Sequence, residues 1–299
     1  MTIAAEKVGN KTLIVGWFSF EWMGATAGDV IAKDVLCGWL RKIGVEPEVA
    51  TLHPTRRGEV RTGDVNPHGY QDVIFVCGPI GDGRPLNEFL NRFPHARKFA
   101  VNVTLLQTRE EWNPFAGVVE RDSSIAVNPD ITFAAESLST PVVGLIYVGS
   151  QPEYPANRHQ DVERLVAEVA RDRDLTLVPI DTVLDGNRYG LRSSAQIESL
   201  IAKMDAVITT RLHGSVIALR RHVPPVAIDS IPGGSKLLQQ MRCIGWPLAF
   251  DVSSLDAQKL AAALDYALTP EARKRAEEVA AAARRDVGRV ETEFLSLLV

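Results

Sequence analysis

An alternation in the second half of the chain limits the fold most. Short apolar, β-branched runs at 142–148, 175–180, 205–210, 225–229 and 248–250 are separated by stretches of helical period at 160–171, 194–204, 215–221 and 235–243, and a further one follows at 255–268. Runs that are apolar throughout read as strands buried on both faces. Parallel neighbours in a sheet need crossovers of helix length with a fixed hand, so the pattern predicts βαβ units. The first half repeats it more loosely, with strands at 12–15, 47–50, 72–77 and 99–103 and a helix at 86–93. Between the first two strands Ile31, Val35, Trp39 and Ile43 recur at every fourth position, and Gly44 offers a helix stop. The expected architecture is therefore α/β with two Rossmann-like domains, residues 1–138 and 139–268, meeting in the small and polar segment Ser137-Leu138-Ser139-Thr140-Pro141.

The tail, 269–299, opens with Thr269 as an N-cap and Pro270 at the first helical position. Ala276, Val279, Ala283, Val287, Val290 and Phe294 then form a stripe at intervals of three and four. One long helix with a break near Gly288, packing across both domains, is the expectation.

Composition narrows the class of partner. At 45% hydrophobic and 23% charged, the 299-residue chain is ordinary for a globular protein, and its net charge of −4 gives no reason to expect nucleic acid. Cys37, Cys77 and Cys243 are odd in number and widely spaced, which argues against a disulfide frame or a structural metal site. Residues 1–11 lack the apolar core of a signal peptide, and no apolar run is long enough to span a bilayer. These features suit a cytoplasmic protein without an integral membrane segment, and they are compatible with a homo-oligomer.

Chemistry concentrates in Thr209-Thr210-Arg211-Leu212-His213-Gly214-Ser215. The strand 205–210 and the helix 215–221 place Arg211, His213 and Gly214 on the turn between them. Such a turn gathers free N–H groups and the positive end of a helix dipole, so the N–H groups of Gly214 and Ser215, with a guanidinium and an imidazole, favour an anion. The plainer alternative is that Arg211 forms an ion pair and His213 is structural. One strand later, Ile231-Pro232-Gly233-Gly234-Ser235-Lys236 is a second glycine-rich turn entering a helix. It lacks P-loop spacing, but Lys236 could touch a phosphate or carboxylate. In the first half the glycine-rich loop 16–28 follows the first strand without a dinucleotide fingerprint. Its aromatic residues Trp17, Phe18, Phe20 and Trp22 either line a sugar-binding cleft or pack between domains. Asp29 is either a helix-start acid or a functional carboxylate, and Arg121-Asp122 with Asp130 reads by itself as a structural ion pair.

Arg211-Leu212-His213-Gly214 on its strand-helix turn, followed by Ala218-Leu219, Val223-Pro224-Pro225 and Lys236, resembles the polysaccharide pyruvyl transferase family. Arg121-Asp122 with Asp130 resembles that family's RD segment and later aspartate, and Gly28-Asp29 the end of its glycine-rich motif. Thr26 stands where the family usually has asparagine, and Cys77-Gly78-Pro79 where it has a glycine run.

The resemblance implies a GT-B-like pair of domains facing across a cleft, with donor on the C-terminal side and acceptor on the N-terminal side. It implies phosphoenolpyruvate as donor substrate, no cofactor or metal, and a sugar or glycan acceptor that becomes a pyruvate ketal as phosphate is released. His213 would be general acid or phosphate partner, and Asp29 the general base with Glu21 as its substitute. Arg211, Gly214, Ser215, Lys236 and Arg121 would hold the donor, and Trp17 would lie on the acceptor side. Two other readings compete. A glycosyltransferase of like architecture would use a nucleotide sugar, with Asp229 or Asp251 for the ribose. A non-catalytic relative would only bind an anion.

Overall fold

A computed structural model describes residues 11–21, 24–149 and 156–298. The chain divides into two compact units, Met1–Ser137 and Leu138–Val299. Unit 1 contains β1 (Lys11–Val15), α1 (Ala27–Lys42), β2 (Glu48–Thr51), β3 (Glu59–Arg61), β4 (Tyr70–Ile80), α2 (Leu86–Asn91), β5 (Arg97–Leu105) and β6 (Gly117–Asp122). Its six strands pair in the order β3-β2-β1-β4-β5-β6, and all the pairings are parallel. Unit 2 contains β7 (Val142–Ile146), α3 (His159–Arg171), β8 (Thr176–Pro179), α4 (Ser194–Ile201), β9 (Ala206–Thr209), α5 (Leu212–Arg220), β10 (Pro225–Asp229), α6 (Lys236–Cys243), β11 (Ala249–Asp251), α7 (Ala257–Ala267) and α8 (Pro270–Ser296). Its sheet runs β11-β10-β9-β7-β8, again parallel. The alternation in the sequence thus yields an α/β chain with two parallel sheets.

Each sheet reverses its strand order once, between β1 and β4 in unit 1 and between β7 and β9 in unit 2. Where the order reverses, neighbouring strands send their connections to opposite faces, and a crevice opens beyond their carboxyl ends. The central strands are dry enough to support this: Leu13, Ile14, Val15, Val73, Phe75 and Val76 in unit 1, and Ala206, Val207, Val226, Ala227 and Ile228 in unit 2, are wholly buried.

Four local expectations are modified. The helix after β1 forms, but of the residues that signalled it only Val35 is buried. Ile31, Trp39 and Ile43 are exposed, while Ala32, Leu36 and Cys37 pack with Ile14, Val49 and Val76. Large apolar side chains marked the helical period, and the smaller neighbours are those that fit against the sheet. Helix α5 begins at Leu212 rather than Ser215, so Arg211 is its N-cap and His213 and Gly214 belong to its first turn. The cause is local: β9 ends at Thr209, whose hydroxyl accepts the Arg211 N–H at 3.0 Å and turns the chain straight into the helix. The edge strand β3 carried too little apolar signal to be foreseen. The tail is one unbroken helix through Gly288, capped by the Thr269 hydroxyl on the Ala272 N–H. Ala272, Ala276, Val279 and Ala280 are buried, whereas Val287, Val290 and Phe294 are exposed. No described helix is long and apolar enough to cross a membrane.

Close packing at the reversal in unit 2 is testable. A Cβ on Gly144 of β7 would lie 2.9 Å from Ile180 Cδ1 and 3.1 Å from Met204 Cγ. Gly144→Ala is therefore expected to destabilise unit 2 by about 1–3 kcal/mol, the usual cost of overpacking, seen as a lower urea midpoint.

Candidate functional site

In unit 2 the carboxyl ends of β7, β9 and β10 enclose a cavity of about 150 Å3 lined by Arg211, His213, Asp229 and Lys236, among others. Each wall has a sequence cause. Thr210, the residue after β9, donates its N–H to Ile146 O, and its hydroxyl accepts the Val148 N–H at 2.8 Å, tying the ends of β7 and β9 together. Arg211 then donates Nε to Tyr147 O at 3.0 Å, which fixes the guanidinium while leaving its two terminal nitrogens without a partner among the described residues. Next to it Asp181 holds its carboxyl below the usual carboxylate range. The Val183 N–H stabilises the charged form, burial opposes it, and the Arg188 N–H and the charges of Arg211 and Arg188 add to the lowering.

His213 is exposed in the first turn of α5, and its ring makes no hydrogen bond to a described residue. Gly214 is the close-packing residue of that turn. A Cβ there would fall 2.5 Å from Thr209 Oγ1 and 3.0 Å from Ile146 Cγ2, so only glycine lets the helix start this near the sheet. Ser215 is wholly buried, and both its N–H and its hydroxyl donate to Arg211 O. The N–H groups left over by the helix are thus those of Leu212, His213 and Gly214, as expected for a first turn.

The turn 231–235 is organised by Asp229, which is 2% exposed at the end of β10. Its carboxylate accepts the N–H groups of Ile231, Ser235 and Leu238 and the Ser235 hydroxyl, at 2.6–3.2 Å. Lys236, first residue of α6, is thereby delivered to the same cavity as Arg211 and His213. Asp229 was a ribose candidate for a nucleotide-sugar enzyme, and its carboxylate is engaged by the protein itself. Asp251, the other candidate, caps the turn at 252–254 by accepting the Ser253 N–H at 2.8 Å. Sequence reasoning did not anticipate the part Asp229 plays, although an acid at the end of an apolar strand before a glycine-rich turn was visible.

In unit 1 a second cavity, of about 360 Å3, lies where the strand order reverses, lined by Trp17, Thr26, Asp29, Cys77, Arg121 and Asp130 among others. Asp29 is 8% exposed and closes a capping box. Its Oδ2 accepts the Thr26 N–H at 2.9 Å and the Thr26 hydroxyl at 2.7 Å, and its own N–H reaches back to Thr26 Oγ1. The Cys77 thiol is also engaged with Asp29. Burial first, then the hydrogen bond and the charge of Asp29, push that thiol up to about 11. Cys77 and Asn102 both take left-handed backbone angles, φ 68° and 58°, on the adjacent strands β4 and β5. Asn102 is 2% exposed and donates to Cys77 Sγ at 3.6 Å while accepting the Ile131 N–H at 3.2 Å. Strained non-glycine residues cluster at functional sites more often than elsewhere. The lone asparagine between Val101 and Val103 was the signal for this one, and it went unread.

Arg121 is held on three sides, by Asp122 at 3.0 Å, Asp130 at 3.1 Å and the Thr104 hydroxyl at 2.8 Å. It lines the cavity of Asp29 in unit 1, so the donor residues expected together are divided between the units, with Arg211, Gly214, Ser215 and Lys236 in unit 2. Trp17 packs edge-on against Phe20 and Phe75, and its buried indole N–H has no acceptor among the described residues. Phe18 and Phe20 are buried in unit 1, so much of the aromatic cluster is core. Trp22 lies outside the described residues, and Glu21 is exposed on the turn that follows Phe20.

The two parallel sheets, one of them with a cavity lined by Arg211, His213, Asp229 and Lys236 where its strand order reverses, define an α/β protein. Residues 107–231 match the family described as polysaccharide pyruvyl transferase, a family of transferases. That match bears out the resemblance carried by the RLHG turn. It spans Arg121 and Arg211–Ser215 and stops short of Lys236, with the loop from Trp17 to Asp29 outside it. No curated protein matches the sequence. Among solved structures the chain is similar to the glycotransferase of kitacinnamycin, at 10% identity over 94% of this chain and 96% of that one, TM-score 0.35. It is similar also to the glycosyltransferase SnogD from Streptomyces nogalater, at 14% identity over 91% and 95%, TM-score 0.31. A third is UDP-GlcNAc 2-epimerase of Methanocaldococcus jannaschii, at 10% identity over 88% and 94%, TM-score 0.33. All three scores fall below 0.5, so the functional reading rests on the family match and on the chain's own residues.

The ion pair at Arg121 has a pH signature. Burial alone would raise the pKa of Asp130, but the Thr132 N–H and hydroxyl, Arg121 and Asn102 outweigh it and hold the carboxyl below its usual range. A carboxylate depressed in the folded state contributes its full stability above its unfolded pKa, near 4, and loses it as pH falls. Asp130→Asn should therefore be destabilising at pH 7 and much less so at pH 3, measured by urea unfolding of both proteins at each pH.

Proposed function

We propose that this chain moves the pyruvyl group of phosphoenolpyruvate to hydroxyls of a sugar or glycan, forming a ketal and releasing phosphate. The observation that carries the reading is the meeting of Arg211, His213 and Lys236 at the first turns of α5 and α6 in one small cavity. Phosphoenolpyruvate bears a phosphate and a carboxylate a few ångströms apart, and a fixed guanidinium, an ammonium and first-turn N–H groups are the donors such a ligand requires. With Asp229 and Asp251 engaged in their own turns, the ribose contact expected of a nucleotide-sugar enzyme has no support from these residues.

In the reaction, protonation of the enol methylene makes C2 electrophilic. One sugar hydroxyl adds to C2 and yields its proton, the C2–O bond to phosphate breaks, and the neighbouring hydroxyl closes the ketal. His213 is assigned as the acid or as the cationic partner of the departing phosphate. Arg211 and Lys236 offset the charge that collects on that phosphate. The acceptor belongs to unit 1, and Asp29 is assigned as the base for the attacking hydroxyl.

Incubation with phosphoenolpyruvate and a panel of sugars, reading phosphate release and acceptor mass together, tests the reading. Phosphate release matched by a pyruvyl increment in acceptor mass is expected. Arg211→Ala and His213→Ala should each lower turnover by about 100-fold or more, and near wild-type rates in both would reject the donor assignment. Asp29→Asn keeps an oxygen for the Thr26 N–H, so a fall in turnover at an unchanged melting temperature is expected of a base. Equal turnover would leave Asp29 as a helix cap alone.

A further inference from the structure

Trp17 separates the Asp29 cavity from another on the same edge of the unit 1 sheet. This third cavity, of about 400 Å3, is bounded by the loops that follow β1, β4 and β5, and Trp17, Asp82, Arg84, Leu106 and Gln107 carry its chemistry. Small-molecule sites commonly measure roughly 300–1,000 Å3. Resting on the reading that unit 1 receives the acceptor, we propose that this cavity is a second sugar subsite, so that the acceptor is a glycan of at least two residues lying across Trp17.

The lining groups favour a neutral polyhydroxyl ligand over a second anion. Arg84 is paired with Glu88 at 2.9 Å, and the Asp82 carboxylate lies in the same cavity, so the positive charge there is balanced. Gln107 uses its Oε1 to accept the Asp82 N–H at 2.5 Å, which fixes the side chain and leaves its amide N–H groups with no acceptor among the described residues. One Asp82 oxygen accepts from the Asn87 amide, and the other has no described donor. The cavity therefore offers both donors and acceptors, as sugar hydroxyls require. Leu106, 67% exposed, and the indole of Trp17 add the apolar surface on which the C–H face of a pyranose rests.

The Trp17 ring is held in place from behind, which makes it a fixed divider between the two cavities. Its edge contacts with Phe20 and Phe75 have centroid separations of 5.9 and 5.5 Å. Gly78, at φ 82°, comes so near that a Cβ would sit 2.4 Å from the indole nitrogen.

The test titrates the intact protein calorimetrically with galactose, mannose and N-acetylglucosamine and with the di- and tetrasaccharides of each, and measures phosphate release on the same panel. For at least one sugar, the disaccharide should bind about tenfold more tightly than the monosaccharide. Gln107→Glu keeps the oxygen that holds the Asp82 N–H and removes the amide donors, and it should erase most of that gain without lowering the melting temperature. Arg84→Met tests a second lining group and should reduce the gain as well. No tightening with length for any of the three sugars, or a gain that survives both substitutions, overturns the subsite. Phosphate release indifferent to length would overturn the subsite and leave the pyruvyl transfer reading standing. Length-dependent binding without phosphate release would do the reverse.

Discussion

The cavities at Arg211 and at Asp29 both depend on the way each parallel sheet reverses its strand order. Parallel strands need crossovers, and at a reversal two successive crossovers depart on opposite faces, leaving an unfilled edge. In unit 2 that edge lies between β7 and β9, and in unit 1 between β1 and β4. The segments that leave these strands, loop and first helical turn together, carry Arg211 and His213 in one case and Trp17 and Asp29 in the other. The buried sheet sets where the crevice is, and the loops decide what it holds.

The two crevices differ in how their charges are used. Arg211 is tethered through one nitrogen to a backbone carbonyl, which costs none of its charge. Arg121 is bound to two carboxylates and a hydroxyl, which leaves it largely a structural group. An arginine beside aspartates in sequence and an arginine at a helix start look alike as letters. Their difference lies in whether carboxylates bond the guanidinium directly after folding.

This explains how much could be read from the sequence. Strand and helix alternation was legible because parallel strands are apolar throughout, and the anion-favouring turn was legible because strand, Arg-Leu-His-Gly and helix follow without a gap. The buried face of α1 was not, since Ile31, Trp39 and Ile43 outweigh Ala32 and Leu36 in any apolar count while the sheet accepts the smaller side chains. The start of α5 was displaced by three residues because the Thr209 hydroxyl, accepting the Arg211 N–H, sets it. The cluster of Cys77, Asn102 and Asp29 joins residues far apart in the chain through left-handed backbone at two strand positions, and the one local sign of it is the asparagine between Val101 and Val103.

Asp229 was described above as the carboxylate that gathers the N–H groups of the turn before α6. A loop held at three amides by one buried group has few conformations left to lose when something lands on it. Ordering of that turn is completed during folding, so Lys236 stands on backbone that is already set, as the proposed donor contact would require. A doubly glycine turn, which in isolation would be among the loosest segments of the chain, becomes a rigid mount for an ammonium group.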